Sequence, residues 1–154
     1  MTWSNASPVL IQFRAQLLLS PTILAVPMVQ AEFHYPAFGP SGTTPETMPA
    51  CLLQETPQER ERYAEGALPL VSGTLKAAFF FGEATSLDSG AMEAFARDVI
   101  KDLALQSASG GISFRSFSTS LSSDPKPAAR AAGETSAVNL YRSVTITANY
   151  GLSR

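Results

Sequence analysis

The chain has 154 residues, enough for one domain to bury a core without a disulfide or structural metal, and too few for two such cores. Its formal net charge of −2 and pI of about 5.4 supply no positive field of the kind that holds phosphate backbones, which argues against tight sequence-independent binding of DNA or RNA. Cys51 is the single cysteine, so an internal disulfide and a multi-cysteine zinc site are excluded.

Ser7-Pro8 followed by an apolar run to Leu19 predicts a helix, with the serine as its cap, proline in its first turn and Pro21 as its stop. Leu10, Phe13 and Leu17 share one face at helical spacing, and Gln12, Arg14 and Gln16 are expected to point outward. The segment from Leu17 to Ala31 also has the outline of a secretory apolar region ending in Val29-Gln30-Ala31. Only Arg14 lies upstream as a basic residue, and Pro21 and Pro27 interrupt the run, so it reads as part of the folded domain. After a short apolar connection, Val29, Ala31, Phe33 and Tyr35 alternate with Gln30, Glu32 and His34, the pattern of a strand with one buried face.

Pro36, Gly39, Pro40, Gly42, Pro45 and Pro49 predict a long exposed loop over residues 36–50. Glu55, Glu59, Arg60, Glu61, Arg62 and Glu65 form a dense mixed-sign run, read as a short exposed helix after Pro57 or simply as a solvated face. Thr74 to Phe81 reads as a second strand, with Leu75, Ala77, Phe79 and Phe81 on one face and Lys76, Ala78 and Phe80 on the other. Phe80 makes that second face partly apolar, which asks for a covering helix or a neighbouring subunit.

Ser89 is placed to cap the strongest helix, Ala91 to Leu105. There Met92, Phe95, Ala96, Val99, Ile100 and Leu103 form a stripe opposite Glu93, Arg97, Asp98, Lys101 and Asp102. After Gly110-Gly111, Ile112 to Leu121 predicts a third strand in which Phe114 and Phe117 fall out of phase, the mark of a bulge. Residues 122–137 read as a second long loop. Val138 to Tyr150 closes the chain as a strand, with Val144, Ile146, Ala148 and Tyr150 alternating with Ser143, Thr145, Thr147 and Asn149, and Arg142 is the one charge in its apolar register. This order predicts a single α+β domain over residues 1–154: an antiparallel or mixed sheet with an N-terminal helix and a central amphipathic helix packed on it.

Chemistry is hard to find. A Ser-His-Asp or Cys-His arrangement would have to use His34, the single histidine, and Gly111-Ile112-Ser113 is followed by Phe114-Arg115 where a nucleophile elbow needs its second glycine. His34 reads as strand-exposed or bonded to a partner, and Cys51 as a small buried hydrophobe, with a pairing of the two left open. Glu59 with Glu61 and Asp98 with Asp102 read as solvated faces. The sequence holds no phosphate loop, dinucleotide fingerprint, zinc spacing or calcium loop, so no cofactor or metal is implied and catalysis is not expected. A small enzyme using Asp or Glu in a cleft stays open as the alternative of another class.

Charged residues make up 16% of the chain against about 25% in ordinary soluble proteins, leaving a surface of Ser, Thr, Gly, Ala and Pro. Burying such neutral groups against a partner costs far less than desolvating charges, which suits subunit contact. Within so neutral a chain, Glu59, Arg60, Glu61 and Arg62, together with Arg115 and Arg142 inside strands, are the candidate interface residues, since complementary charge fixes register between subunits.

This succession of elements, with Gly73-Thr74-Leu75-Lys76-Ala77-Ala78-Phe79-Phe80-Phe81, the helix Met92 to Leu105 and the closing strand Tyr141 to Tyr150, resembles the tail terminator and tail completion (neck) proteins of long-tailed bacteriophages. The resemblance spans most of the chain and rests on element order, length and composition. It implies a homo-oligomeric ring, usually a hexamer, that sits on the tail tube protein, stops tube growth and meets the head-tail connector proteins. It also implies no catalytic residues, DNA only as passing cargo, no membrane, and residence at the tail-neck junction of the virion after assembly in the host cytoplasm. A connector (neck) protein of the same class is the nearest alternative. The loops over residues 36–50 and 122–137 are then arms toward a neighbouring subunit or the tube.

Overall fold

The computed structural model describes residues 6–26, 33–35, 49–62, 70–82, 89–107, 112–122, 126–127 and 140–153. The chain begins with α1 (Pro8–Leu18), capped as expected: Ser7 Oγ accepts the Leu10 N–H at 3.1 Å, and Pro8 supplies a fixed φ in the first turn. The same Ser-Pro grammar recurs at once. Pro21, expected only to stop α1, also opens a second short helix, α2 (Pro21–Ala25), whose cap Ser20 accepts the Ile23 N–H at 3.3 Å. Leu17 and Ile23 are fully buried, so each helix contributes to the core, while Leu19 and Leu24 stay exposed.

The strand expected around residues 29–35 is described as β1 (Phe33–His34); Val29 to Glu32 lie outside the described residues. Next comes β2 (Ala50–Arg62), which corrects two expectations. Ala50 belongs to a strand rather than to the loop before it, and the charged run through Arg62 is extended rather than helical. Pairing overrides local preference here, because β2 runs antiparallel to β3 (Leu70–Gly82) from Ala50↔Phe80 to Gln58↔Ser72, and that ladder satisfies backbone groups an exposed helix would satisfy alone. Pro57 is tolerated because, among the described residues, β2 has a partner on its other side only at Cys51 and Leu52. The ladder breaks register between Gln58 and Arg62, inside the charged run.

Then come α3 (Ser89–Ser107), β4 (Phe114–Leu121), β5 (Lys126–Pro127) and β6 (Leu140–Ser153). Ser89 is the first residue of α3 rather than its cap. The out-of-phase aromatics mark a real irregularity, a shift in register between Phe114 and Ser116 that leaves Arg115 unpaired. The second long loop is interrupted by β5, which pairs with Tyr141 and Leu140 of β6; residues 128–137 lie outside the described residues.

The sheet order is β1-β2-β3-β6-β4, with β5 also on β6. β1 is parallel to β2 and every other pairing is antiparallel, so the domain is α+β with a mixed sheet. Its spine is the ladder from Leu70↔Ser153 to Gly82↔Tyr141. Leu53, Leu75, Phe79, Phe81, Val144 and Ile146 point to one face, where they meet Leu10 and Phe13 of α1 and Met92 and Val99 of α3 in a single core.

Polar residues tie the layers together. Gln16, expected to face outward, is 5% exposed: its Oε1 accepts the Ile112 N–H at 3.2 Å, giving the entry to β4 its backbone partner. Asp102, expected on a solvated face, accepts from Ser20 Oγ (2.6 Å), Thr22 Oγ1 (2.8 Å) and the Thr22 N–H (3.3 Å), which pins α2 to α3. Burial pushes its carboxyl up, but the bonds from Ser20 and Thr22 outweigh that and hold it below its ordinary value.

Glu55 accepts from both the Ser7 hydroxyl and the Tyr150 hydroxyl (2.7 Å), linking the α1 cap, β2 and β6. Burial, reinforced by the Glu55 carboxylate, pushes the Tyr150 phenol well above its ordinary value of 10.0. A raised folded value favours the neutral form, so the stability it contributes is complete below about pH 10 and declines as pH rises beyond it. Denaturant melts should show this alkaline decline in the native chain and a shallower one in Tyr150→Phe. Equal slopes would show that the phenol is not held neutral by the fold.

Candidate functional site

The three described helices lie on one side of the sheet, α1 and α3 against its strands and α2 against α1 and α3, and the strand alternation sends every second side chain to the other side. Among the described residues no helix lies on that other face. The register lays it out in rows across four strands: Thr56, Thr74, Asn149 and Ser116 in one, Gln54, Lys76, Thr147 and Ser118 in the next, then Leu52, Ala78, Thr145 and Ser120. The first row is hydrogen-bonded within itself. Thr74 Oγ1 donates to Asn149 Oδ1 at 3.1 Å, and Asn149 Nδ2 donates to Ser116 Oγ at 2.7 Å. The result is a face dominated by hydroxyl and amide groups, partly satisfied by one another in the first row and interrupted by Leu52 and Ala78 in the third.

Charge on this face is confined, among the described side chains, to Lys76 and Arg115. Arg115 sits at the β4 irregularity and lays its guanidinium on the backbone of Gly151. A Cβ at Gly151 would meet Arg115 Nη2 at 2.7 Å, so the glycine is what lets the arginine lie flat. No carboxylate faces the two cations from the described rows.

The six candidate interface residues do not form one patch. Glu59, Arg60, Glu61 and Arg62 occupy the far end of β2, where the backbone alone is described. Arg115 lies at the same end of the sheet, because Gly151 pairs with Ser72 and Ser72 with Gln58. Arg142 is half-buried opposite Phe81 on the helix-bearing side, nine residues or about 30 Å along β6 from Gly151. Any contact that uses the first five leaves Arg142 out.

The residues considered for chemistry are dispersed. Cys51 is buried in the core, and burial pushes its thiol well above the ordinary value, which keeps it protonated and unreactive. The His34 side chain lies outside the described residues. Asp98 is exposed on α3, while Asp102 and Glu55 are engaged in the structural bonds above. Among the described residues no three His, Cys, Asp or Glu side chains cluster as a metal site, and no helix is long and apolar enough to cross a membrane.

Sequence reasoning noted the alternating Thr145, Thr147 and Asn149 without recognising a surface in them. The signal was present in the serines at 116, 118 and 120 as well, but only the order β3-β6-β4 brings the two sets side by side. The chain matches no protein-family model and no curated protein.

Proposed function

We propose that the chain is a structural, non-catalytic virion subunit that assembles into a ring closing the tail tube of a long-tailed bacteriophage and joining it to the head connector. The observation that supports this reading is the hydroxyl-bearing sheet face, on which no helix lies among the described residues. Its neutral groups can be desolvated against a partner at small cost, and a single lysine amid threonines is enough to orient the contact without dominating it. Element order and composition supply the phage setting, as the resemblance to tail terminators implies.

Light scattering of the chain alone and with tail tube protein tests the reading. The expected mass is that of an assembly of more than two 16.4 kDa chains, six on the tail-terminator pattern. Thr147→Lys would place a second cation directly across from Lys76, at a cost to the folded subunit of under about 1 kcal/mol. Assembly should nevertheless weaken, because both charges would be desolvated in the contact. A strict monomer under both conditions, or an assembly indifferent to Thr147→Lys, counts against the face as the contact.

A further inference from the structure

β4 is an edge strand, and among the described residues nothing pairs with its outer side. Its backbone polarity can be assigned. The Ser122 N–H donates to Ser143 O at 3.0 Å, so by the alternation of an antiparallel ladder Ser116, Ser118 and Ser120 bond β6, while Phe117, Thr119 and Leu121 turn their N–H and C=O groups outward. Edge strands are ordinarily guarded by lysine, proline or an inward charge. Residues 116–121 carry none of these; the nearest charge along the chain is Arg115, at the irregularity. The opposite side of the sheet differs, since the stretch of β2 beyond β1 holds Pro57 and the run Glu59 to Arg62.

The helical layer stops short of this edge. Thr119 lies on the helix-bearing side, opposite the buried Ile146, yet it is exposed. Between α3 and β4 is a groove of about 220 Å³ lined by Glu93, Arg97, Ile100, Phe117, Ser118 and Thr119. Ile100 and Phe117 are half-buried in it, and the acid and base stand one helical turn apart above them.

We infer that the β4 edge and this groove form a self-complementary interface that takes the same edge of a second copy, antiparallel across a two-fold axis. A register centred on Ser118 pairs Phe117 of one copy with Thr119 of the other and satisfies the outward backbone groups of those two residues in both, while Leu121 falls opposite the irregularity at Arg115. The axis then passes through the groove, so Glu93 of one copy faces Arg97 of the other twice over, and Ile100 and Phe117 are covered by their own counterparts. Mixed charge on one helix turn is what a two-fold needs, because a surface of one sign would repel its own copy. The guarded β2 edge is a poor substitute, so the unguarded edge meets itself. The inference uses residues of α3 and β4 alone and does not rest on the phage reading.

The test is the pair dissociation constant, from analytical ultracentrifugation, for the native chain, Arg97→Glu, the swap Glu93→Arg with Arg97→Glu, and Thr119→Pro. The native chain should form pairs of 16.4 kDa subunits. Arg97→Glu, which leaves four carboxylates around the axis, should weaken them at least about tenfold, and the swap should restore most of that loss because complementarity returns with the signs exchanged. Thr119→Pro removes an outward N–H and no bond to β6, so it should abolish pairing with the circular dichroism unchanged. If the proline disturbs folding, the charge swap decides alone. A monomer at every concentration overturns the inference, as does pairing only with a different protein, or a swap no better than Arg97→Glu. An assembly of six that ignores Arg97→Glu but responds to Thr147→Lys overturns the edge pairing and keeps the ring. Pairs that never grow further, even with tube protein, do the reverse.

Discussion

Replacing Phe95 by alanine is expected to lower the unfolding free energy by about 3–5 kcal/mol, the range for deleting a buried aromatic side chain. Phe95 is 6% exposed and stands edge-on to two rings of β3, with centroids 5.1 Å from Phe79 at 82° and 5.4 Å from Phe81 at 87°. Each such pair contributes about 0.5–1.5 kcal/mol beyond the area it buries, so the truncation removes two ring contacts as well as the transfer term. It also leaves a void between a helix and a sheet that are both fixed by other contacts, which limits relaxation. Leu105 on the same helix is the internal control: it is 72% exposed, and its replacement by alanine should change stability by under about 0.5 kcal/mol. Urea melts with unchanged slopes would give both numbers. A loss below about 1 kcal/mol for Phe95→Ala would mean that α3 does not hold the sheet through this face.

The elements legible in the sequence are those whose pattern is local. α1 and α3 announce themselves by apolar spacing, β3 and β6 by alternation that the paired register preserves, and β4 by aromatics whose broken phase marks its shift in register. β2 was not legible because Ala50-Cys51-Leu52-Leu53 is apolar without alternation and the following charges imitate a helix surface; only its partnership with β3 defines it. The polar residues misjudged as solvent-facing share one cause. Gln16 meets Ile112, Asp102 meets Ser20 and Glu55 meets Tyr150 across 96, 82 and 95 residues of chain, and no local window contains such partners. The candidate surfaces follow the same rule. The hydroxyl rows need the crossover order β3-β6-β4 to become a face, and the β4 groove needs α3 to end its coverage short of Thr119. Charge density drew attention to Glu59 through Arg62, whereas both proposed contacts lie where charge is sparse or balanced.

Gly73 and Tyr150 give a second expected result, one that a single substitution cannot deliver. The two residues are direct cross-strand partners on β3 and β6, and the tyrosine ring lies over the glycine as if filling its missing side chain. A Cβ at Gly73 would meet Tyr150 Oη at 2.5 Å, Cζ at 2.7 Å and Cε1 at 2.8 Å. The ring has little freedom to retreat, since Tyr150 is 2% exposed and its hydroxyl is held by Glu55. Gly73→Ala should therefore cost about 1–3 kcal/mol by overpacking, despite the alanine being the better strand residue in isolation. Tyr150→Leu should cost more on its own, because it removes buried ring area and leaves Glu55 without a donor. Combined, the two should cost less than their sum by about 1–3 kcal/mol, because the shorter leucine vacates the space the new methyl group needs. Tyr150→Phe serves as the control: it deletes the hydroxyl but keeps Cζ and Cε1 in place, so it should leave the penalty of Gly73→Ala largely intact. Additivity of Gly73→Ala with Tyr150→Leu to within about 0.5 kcal/mol would refute the close approach and move the role of Gly73 from the ring above it to the backbone it belongs to.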